Sequence, residues 1–384
     1  MSFRLGILGG GLQGTEAAAL SRWAGWETVL ADGRAAPPAR DLAWRFVHSE
    51  IKDFRDLDQA FGDCDLLLPA CEDLPTLKLV SDWRRRGGLP VAFDLEAYLI
   101  SQDKAASKDL FLAAGVPTPL SWSAAGSSGS AAGYPLIAKP VSLSGSRGVS
   151  FLESPADLQR LFPDGDLRGW VVEEYCDGPS YSLEVTGRPG GYQGWQTTAL
   201  EMDEVYDCRQ VWAPADLSAD EDEELRRISL SIARALNLTG LMDVEVILSP
   251  QGFRVLEIDA RLPSQTPTVV YWSSGENLIA RLANLFGFNP PGRPPFEGAA
   301  PRGVIYEQVV VDSEGCRLAG EHVISAAGPL SLRQDFFGAD WALTDYRPGQ
   351  GRWVAILITI AASQAEARER RLEMMTRLKR VGRL

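Results

Sequence analysis

The sequence has little of what metal centres with nitrogen and sulfur ligands are built from. It contains two histidines, His48 and His322, and its five cysteines are scattered, with no C-x-x-C pair. Zinc sites need closely spaced cysteines and histidines, so no zinc site is expected. A serine or cysteine hydrolase would have to use one of the two histidines as its base, and this scarcity disfavours both classes.

Long apolar runs are also missing, and positive charge is in deficit. No stretch of about 18 apolar residues occurs, so no membrane span is expected. The apolar part of the N-terminus is too short for a signal peptide, which predicts a cytoplasmic protein. With 38 basic residues against 51 acidic ones, the net charge of −13 disfavours nucleic acid as a partner and is compatible with cationic small ligands.

What the sequence does contain is the composition of an ordinary globular protein. The residues are 45% apolar and 23% charged, as in soluble globular proteins. The length of 384 residues predicts two or three folded domains. Residues 1–93 alternate short apolar strands with helices, a pattern typical of a doubly wound parallel sheet in the α/β class. From Pro135 onward, strands joined by glycine turns follow instead.

A glycine loop lies between the first strand and the first helix. Residues 9–14 read G-G-G-L-Q-G, which fits G-x-G-x-x-G, and Asp32 ends the second strand. In dinucleotide-binding domains such a loop holds a pyrophosphate and such an acid holds a ribose. The loop alone therefore favours an NAD-dependent amino-acid dehydrogenase. The alternative is a tight turn from strand to helix that binds no nucleotide.

Two lysines and a loop point to a different nucleotide site. The chain as a whole has few lysines, Lys104 and Lys139 among them, and Lys139 ends an apolar strand. The Ser- and Gly-rich loop 142–148 follows and could present backbone amides to phosphate oxygens. Glu173 and Glu174 are adjacent on a later strand, so one of them points inward and needs a ligand or a cation. Taken singly, Lys139 could also be an exposed lysine at a strand end.

Three carboxylates carry the strongest signal. Residues 243–245 and 257–259 lie on two strands joined by a short turn, so a hairpin is predicted. Glu257 and Asp259 share one face of their strand, and Glu245 can lie beside them. Three carboxylates on one face repel each other unless a divalent cation separates them, and oxygen ligands suit Mg²⁺. The alternative, a solvated acidic face, is disfavoured by the apolar neighbours on both strands.

Together these parts resemble the ATP-grasp superfamily of carboxylate–amine ligases, over nearly the whole chain. The resemblance implies an α/β ATP-grasp fold with an N-terminal, doubly wound Rossmann-like domain, a small lid subdomain and a large nucleotide and metal domain. The implied bounds are 1–93 for the N-terminal domain, 94–300 for the ATP-grasp domain, with its lid at about 115–175 and its hinge at 173–176, and 301–384 for a C-terminal block that completes the substrate cleft.

The same resemblance implies the cofactors and the residues that hold them. It implies ATP and two Mg²⁺ ions, with Glu245, Glu257 and Asp259 as metal ligands. Arg261, Lys104 and Lys139 are the implied catalytic residues, because they add positive charge around the transferred phosphate. The implied contacts to ATP are Leu12, Gln13, Asp32, Lys104, Lys139, Ser144, Gly145, Ser146, Glu173, Glu174, Tyr175 and Cys176.

One branch of the superfamily is similar in longer stretches, above all in residues 257–271. It comprises the pyrrolysine-biosynthesis ligases, which use ATP to join the carboxylate of 3-methyl-D-ornithine to the ε-amine of L-lysine through an acyl phosphate. This similarity implies L-lysine and 3-methyl-D-ornithine, or D-ornithine, as small-molecule substrates. The expected substrate contacts are Gly11, Glu72, Asp207, Arg261, Ser264, Gln265, Thr266 and Glu307.

Two of these contacts are acids assigned to the amines of lysine. Glu72 follows a buried strand, and ligands of open α/β sheets bind beyond the carboxyl ends of strands. Glu307 is a lone acid within an otherwise apolar strand. Residues 264–266 are expected to hold the ornithine-like substrate, with Asp207 nearby. The alternatives are a surface acid at Glu72 and a strand-edge acid at Glu307.

Three other functions remain open on the sequence. One is an ATP-grasp ligase of other amino acids, of the D-alanine or carnosine type. The second is the NAD-dependent dehydrogenase favoured by the first glycine loop. The third is an ATP-binding module without catalysis, which the lysines, the metal acids and Arg261 disfavour. Phosphate release that requires both amino acids would distinguish the ligase from the other classes.

Overall fold

The chain folds around three β-sheets that border one cleft. The structure is a computed structural model that describes residues 2–123, 126–127, 133–142, 145, 147–290, 292, 295–296 and 301–381. Within these residues, every helix is too short or too polar to cross a lipid bilayer.

The N-terminal unit is a four-stranded parallel sheet with helices on both faces. Its strands are β1 (Arg4–Leu8), β2 (Glu27–Asp32), β3 (Arg45–His48) and β4 (Leu66–Pro69), and its helices are α1 (Leu12–Ala24), α2 (Phe54–Phe61) and α3 (Leu74–Arg85), with a 3₁₀ turn at Arg40–Leu42. The strand order is β3-β2-β1-β4. Leu5 and Ile7 pack on the α1 side, whereas Val29 and Ala31 pack on the side of α2 and α3. The predicted doubly wound sheet is confirmed.

Two short helices lead from this unit into the rest of the chain: α4 (Leu95–Ser101) and α5 (Lys104–Ala113). Each begins after an aspartate whose side chain accepts hydrogen bonds from the first turn. Asp94 accepts from the N–H of Ala97, and Asp103 accepts from the N–H groups of Ala105 and Ala106. The second cap places Lys104 at the start of α5, at the edge of the cleft.

The second sheet has five antiparallel strands in the order β6-β5-β9-β7-β8. These are β5 (Ser121–Ser123), β6 (Gly126–Ser127), β7 (Leu136–Pro140), β8 (Ser150–Leu152) and β9 (Trp170–Glu174), with helix α6 (Pro155–Leu161) against them. Its apolar core is small and separate, built around Leu136, Ala138 and Val172. A small sheet with a core of its own can move as a unit against the larger sheet, as a lid does.

The third sheet has eleven strands, nine of them in the order β15-β14-β10-β12-β13-β16-β20-β19-β18, with β11 beside β10 and β17 beside β16. These are β10 (Ser180–Arg188), β11 (Gly191–Gly194), β12 (Thr198–Met202), β13 (Cys208–Ala213), β14 (Gly240–Ser249), β15 (Gly252–Asp259), β16 (Gly303–Asp312), β17 (Gly315–Leu318), β18 (Ser331–Phe336), β19 (Ala339–Thr344) and β20 (Trp353–Ala361). Gln210 of β13 lies opposite Glu307 of β16, so the sheet is continuous across residue 300.

Helices cover both faces of this sheet. They are α7 (Ala219–Ala235), α8 (Thr266–Ser274), α9 (Leu278–Leu285), α10 (His322–Ser325) and α11 (Gln364–Val381). Along β16, Val304 and Tyr306 belong to the apolar core that includes α8, whereas Val309 and Val311 belong to the core formed with α11. This alternation decides which side chains of β16 can reach the α8 side, where the cleft lies.

Candidate active site

Carboxylates on β14 and β15 line the bottom of the cleft, and we call this surface the carboxylate wall. The two strands pair so that Glu245 lies opposite Glu257, and Asp243 lies opposite Asp259. The predicted hairpin is thereby confirmed, and Glu245, Glu257 and Asp259 share one face. Asp243, two residues before Glu245, belongs to the same face and was not among the predicted site residues.

The wall continues onto β10. Glu184 lies opposite Asp243, and Ser182 lies opposite Glu245. One row of the wall therefore consists of Glu184, Asp243 and Asp259. A second row, parallel to it, consists of Ser182, Glu245 and Glu257. The acids at the β15 end are partly exposed to the cleft, whereas Asp243 and Glu184 are buried.

Crowding of like charges raises the proton affinity of this wall. Removal from bulk water, together with the neighbouring carboxylates, raises the pKa of Glu245 to about 8 and that of Asp259 to about 7. Among the ion pairs of the described residues, none involves Glu245, and the Nζ atom of Lys104 lies 3.7 Å from Glu257 Oε2. Oxygen donors on one face, with little cationic compensation, fit a hard divalent cation such as Mg²⁺.

On one side of the wall lies a cavity that we call the lysine cavity. Lys104, Lys139 and Arg147 bring positive charge into it, and Glu245 and Glu257 form its floor. Apolar side chains complete it, among them those of Ile137, Val149, Ile247 and Leu256. The predicted hinge residues Glu173, Glu174, Tyr175 and Cys176 also line this cavity.

Lys139 is held by a buried cluster of three charges. Glu173 Oε1 lies 2.6 Å from Lys139 Nζ, and Glu173 Oε2 lies 2.7 Å from Lys108 Nζ. Lys108, on α5, also donates to Thr118 Oγ1 at 2.6 Å. Despite burial, the two ammonium groups hold the pKa of Glu173 below its ordinary value. Two cations face one anion here, so the cluster carries a net positive charge next to the cavity.

Hydrogen bonds tie the predicted hinge residues to the segments that precede β5 and β7 of the five-stranded sheet. The N–H of Glu174 donates to Leu120 O at 2.9 Å, and Glu174 Oε1 accepts from the N–H of Leu120 at 3.1 Å. The N–H of Tyr175 donates to Pro135 O. Of the predicted lid residues, Ser144 and Ser146 lie outside the described residues, whereas Gly145, with a φ of 61°, is described and borders the second cavity.

On the other side of the wall lies a cavity that we call the acid cavity. Its lining carboxylates are those of Asp243, Glu245, Glu257, Asp259 and Glu321. Arg261 contributes the cationic side chain, with its Nη2 at 2.5 Å from Asp259 and at 2.8 Å from Glu72. This excess of carboxyl groups over cationic side chains suits ligands that carry ammonium groups.

Glu72 reaches the edge of the cleft from the end of β4. Besides its ion pair with Arg261, it accepts a hydrogen bond from Gln13 Nε2 at 3.1 Å. Glu72 and Arg261 line one further recess beside Lys104, Glu257 and Asp259. The structure thus brings together Gln13, Glu72 and Arg261, which the sequence predicted in separate roles.

The segment 264–266 forms one side of the acid cavity at the start of α8. Ser264 Oγ and Gln265 Nε2 both donate to Glu321 Oε2, at 2.7 and 3.1 Å. Gln265 has a φ of 73°, a left-handed conformation that is unusual for a residue with a side chain. All three predicted residues line the cavity, together with Glu321, which the sequence did not predict.

The structure turns two predicted substrate residues away from these cavities. Glu307 lies on the α11 side of β16, where its Oε2 accepts from Arg371 at 2.7 Å and from Gln210 at 2.9 Å. Asp207 accepts from the backbone N–H of His322 at 3.2 Å and contacts the ring Nδ1 of the same residue. Neither lines the cavities described above, because strand alternation directs Glu307 outward and the turn of Asp207 faces α10.

The first glycine loop is closed by its own neighbours. Asp32 Oδ2 accepts from the N–H of Gly10 at 2.6 Å and from Arg34 Nη2 at 2.9 Å. A Cβ at Gly14 would lie 2.0 Å from Gly9 O, so this position requires glycine for a tight turn. With its carboxylate engaged, Asp32 is not poised for a ribose, which favours the alternative of a simple turn.

The other predicted residues of this loop lie beside it. Leu12 packs against the apolar core at the start of α1, and a Cβ at Gly11 would lie 3.6 Å from Arg34 Nη2. Leu12, Gln13 and Asp32 do not line the lysine cavity, and only Gln13 is linked to the cleft, through Glu72.

Several residues of the site, among them Glu184, were not predicted from the sequence. Asp243 could have been found from its spacing of two from Glu245, and Lys108 from its spacing of four from Lys104 on one helix. Arg147 lies within the predicted lid loop. Glu321 lies in a turn before a four-residue helix, where no periodicity marks it.

Comparisons with known proteins agree with the resemblance to ATP-grasp ligases. Residues 113–264 match the ATP-grasp domain family. The chain is 37% identical over 329 residues to the 3-methyl-D-ornithine–L-lysine ligase of Methanosarcina acetivorans, with 83% of each chain covered. It is 41% identical over 281 residues to the ligase of the same name from Methanosarcina barkeri, which covers 73% of this chain and 72% of that one.

Solved structures are similar at the level of the fold. The N5-carboxyaminoimidazole synthetase of Staphylococcus aureus, complexed with ADP, aligns with a TM-score of 0.69 at 17% identity, over 98% of both chains. The biotin carboxylase domain of Hydrogenobacter thermophilus 2-oxoglutarate carboxylase, in complex with MgADP, aligns with a TM-score of 0.70 at 15% identity, over 97% of this chain and 89% of that one. The predicted ATP-grasp fold is confirmed.

Proposed function

Because the chain belongs to the family of the 3-methyl-D-ornithine–L-lysine ligases, within the ATP-grasp superfamily, we propose that it joins the carboxylate of 3-methyl-D-ornithine to the ε-amine of L-lysine, using ATP. The observation that carries the proposal is the shared wall: one carboxylate surface borders a cavity with lysines on one side and a cavity rich in acids on the other. The first suits a polyphosphate and the second suits diamino acids.

The lysine cavity would take ATP. Its apolar side chains and the hinge would enclose the adenine, and Lys104, Lys139 and Arg147 would face the phosphate oxygens. The net positive charge of the Lys108–Glu173–Lys139 cluster supports this orientation, because a buried excess of positive charge is stabilised by a bound anion.

Glu245, Glu257 and Asp259 would hold Mg²⁺, in our proposal two ions, between the two cavities. When bound, Mg²⁺ would offset the repulsion within the wall and the charge of the phosphates. The donor set of partly exposed carboxylate oxygens supports this assignment.

The reaction needs an activated carboxylate, since an amine does not displace oxide from a carboxylate. An oxygen of the ornithine carboxylate attacks the γ-phosphorus of ATP, which breaks the bond to ADP and forms an acyl phosphate. The neutral ε-amine of lysine then attacks the acyl carbon and expels inorganic phosphate, and the proton that the nitrogen loses leaves with the phosphate as HPO₄²⁻. Arg261 would stabilise the charged oxygens of both steps, and its ion pairs with Asp259 and Glu72 hold its guanidinium at the wall.

The substrates would lie in the acid cavity and in the recess beside it. We propose that residues 264–266, with Glu321, hold the ornithine-like substrate, and that Glu72 binds an amine of lysine. The lid tip at Gly145 borders the acid cavity, where closure would exclude water from the acyl phosphate.

The proposal is tested by incubating the protein with ATP, Mg²⁺, L-lysine and 3-methyl-D-ornithine or D-ornithine. We expect phosphate and ADP to form in equal amounts, only when both amino acids are present, together with one amide product of the summed mass less water. Phosphate release with D-alanine alone, or NADH formation with NAD, would contradict the proposal.

A further inference from the structure

The far end of the carboxylate wall has no assigned role. Asp243 and Glu184 continue the row that begins at Asp259, one and two strands farther from β15. Neighbouring strands are about 4.8 Å apart, so Asp243 and Glu184 lie roughly 5–10 Å along the row from Asp259, the residue that binds Arg261. Neither Asp243 nor Glu184 has an ion-pair partner among the residues that the structure describes.

Buried acceptors at this end of the acid cavity lack donors. Asp243 is 5% exposed and Gln265 is 3% exposed, and both line the cavity. Within the described part of the chain, Asp243 Oδ1 and Gln265 Oε1 have no hydrogen-bond partner. Buried acceptors without donors are costly, so a ligand that supplies donors is expected there.

One buried donor in the same cavity also lacks an acceptor. The Nε–H of Arg261 has no partner among the described residues, although its Nη2 binds Asp259 and Glu72. A ligand that spans the cavity would therefore present an oxygen to Arg261 and a group with several donors to Asp243. A carboxylate and a primary ammonium group are these two groups.

We propose that Asp243, with Gln265 and with Glu184 behind it, binds the terminal ammonium group of the diamino acid whose carboxylate lies at Arg261. The inference rests on the proposed function and deepens it, because it names the residues that select a diamino acid over one with an apolar side chain. The α-ammonium group lies directly beside the carboxylate. The terminal one lies a side chain away, which matches the spacing along the row.

Selectivity between D-ornithine and D-norvaline tests this assignment, because norvaline lacks only the terminal amine. Binding to the protein with MgADP is measured by calorimetry. The wild type should bind D-ornithine at least about tenfold more tightly, as expected for a hydrogen bond to a charged group. Asp243→Asn should narrow this ratio to near one and leave MgADP affinity unchanged. Asp41→Asn, an exposed acid outside the cleft, is the matched control and should keep the wild-type ratio.

A ratio near one in the wild type would overturn the assignment. So would an unchanged ratio in Asp243→Asn, with or without a shift in the Mg²⁺ dependence that would make Asp243 a metal ligand. Should Asp243→Asn not fold, Gln265→Leu replaces it, and an unchanged ratio in that folded variant also overturns the assignment. Phosphate release that still requires lysine and ornithine would show that the ligase proposal stands when this one fails.

Discussion

The lysine cavity and the acid cavity share Glu245 and Glu257 but differ in almost every other respect. The first adds three cationic side chains, the carboxylates of Glu173 and Glu174 and an apolar enclosure, whereas the second adds three further carboxylates and one arginine. Two strands thus serve ligands of opposite charge from one surface. The difference shows that the carboxylates alone do not determine which ligand binds. The ligand is determined by the side chains of the five-stranded sheet and α5 on one side, and by those of α8 and Glu321 on the other.

The largest effect is expected at the shared wall, since both cavities depend on it. Glu257→Gln or Asp259→Ala should lower kcat by about 10³-fold or more, because the oxygen ligands for Mg²⁺ are lost. The fold should persist, since both side chains face the cleft. Steady-state phosphate release and circular dichroism check this. Wild-type turnover in either variant at moderate Mg²⁺ would remove the metal assignment.

A smaller effect is expected in the lysine cavity, where the rise in the ATP KM should be larger for a lysine that lines the cavity than for one behind it. Lys139→Met should raise the ATP KM by about 10²-fold, through loss of a charged contact to phosphate. Lys108→Met should raise it less, because Lys108 lies behind Glu173 and does not line the cavity, and Glu173 keeps Lys139 as its partner. ATP kinetics separate the two variants, and urea unfolding checks that both remain folded. Equal KM changes would mean that Lys108 contacts the nucleotide directly.

The substrate side offers a pair of acid-to-amide changes with different expected outcomes. Glu72→Gln should raise the lysine KM by about tenfold and leave the ATP KM unchanged, because it weakens a charged hydrogen bond at the recess. Glu307→Gln should leave both KM values unchanged and lower stability by about 1–3 kcal/mol, because Arg371 loses its buried partner. A raised lysine KM in Glu307→Gln alone would reverse the assignment.

Stability beneath the acid cavity, rather than activity, should depend on pH through one buried acid. Glu16, on α1, accepts from the N–H of Thr268 at 2.6 Å, and burial raises its pKa to about 7. Because the folded pKa exceeds the unfolded one, its contribution is fully present below about pH 4.5 and is lost as the pH rises towards 7, for about 3 kcal/mol. Glu16→Gln should therefore flatten the decline of Tm between pH 5 and 8. An unchanged decline relative to the wild type would assign it to other acids.

The parts that the sequence predicted well are those with local periodicity. The spacing of two in Glu257 and Asp259, together with a short turn, was sufficient to predict the hairpin and its acid face. The strand that carries Lys139 was equally visible, since its apolar run stops at that residue. The comparisons confirmed the ATP-grasp fold that these parts indicated.

The parts that escaped prediction depend on contacts between distant segments. Strand alternation shows that Glu307 and its neighbour Tyr306 face opposite sides, but only the packing of α8 and α11 decides which side faces the cleft. The sequence pattern predicts that Asp32 binds a ribose, whereas in the structure its carboxylate accepts a hydrogen bond from Arg34. Glu321 accepts a hydrogen bond from Ser264, which lies 57 residues earlier in the chain, and no sequence pattern in either segment predicts this contact.

The continuity of the eleven-stranded sheet bears on how the protein emerges from the ribosome. β13 finds its neighbour in β16, and Gln210 and Glu307 are 97 residues apart. At about 5–20 residues per second, the edge of β13 waits roughly 5–20 s for the strand that covers it. An uncovered strand edge is a template for association with other chains, so this interval is when the nascent protein most needs a chaperone. Glu321 is synthesised later still, and the acid cavity is therefore completed only after β16 has been made.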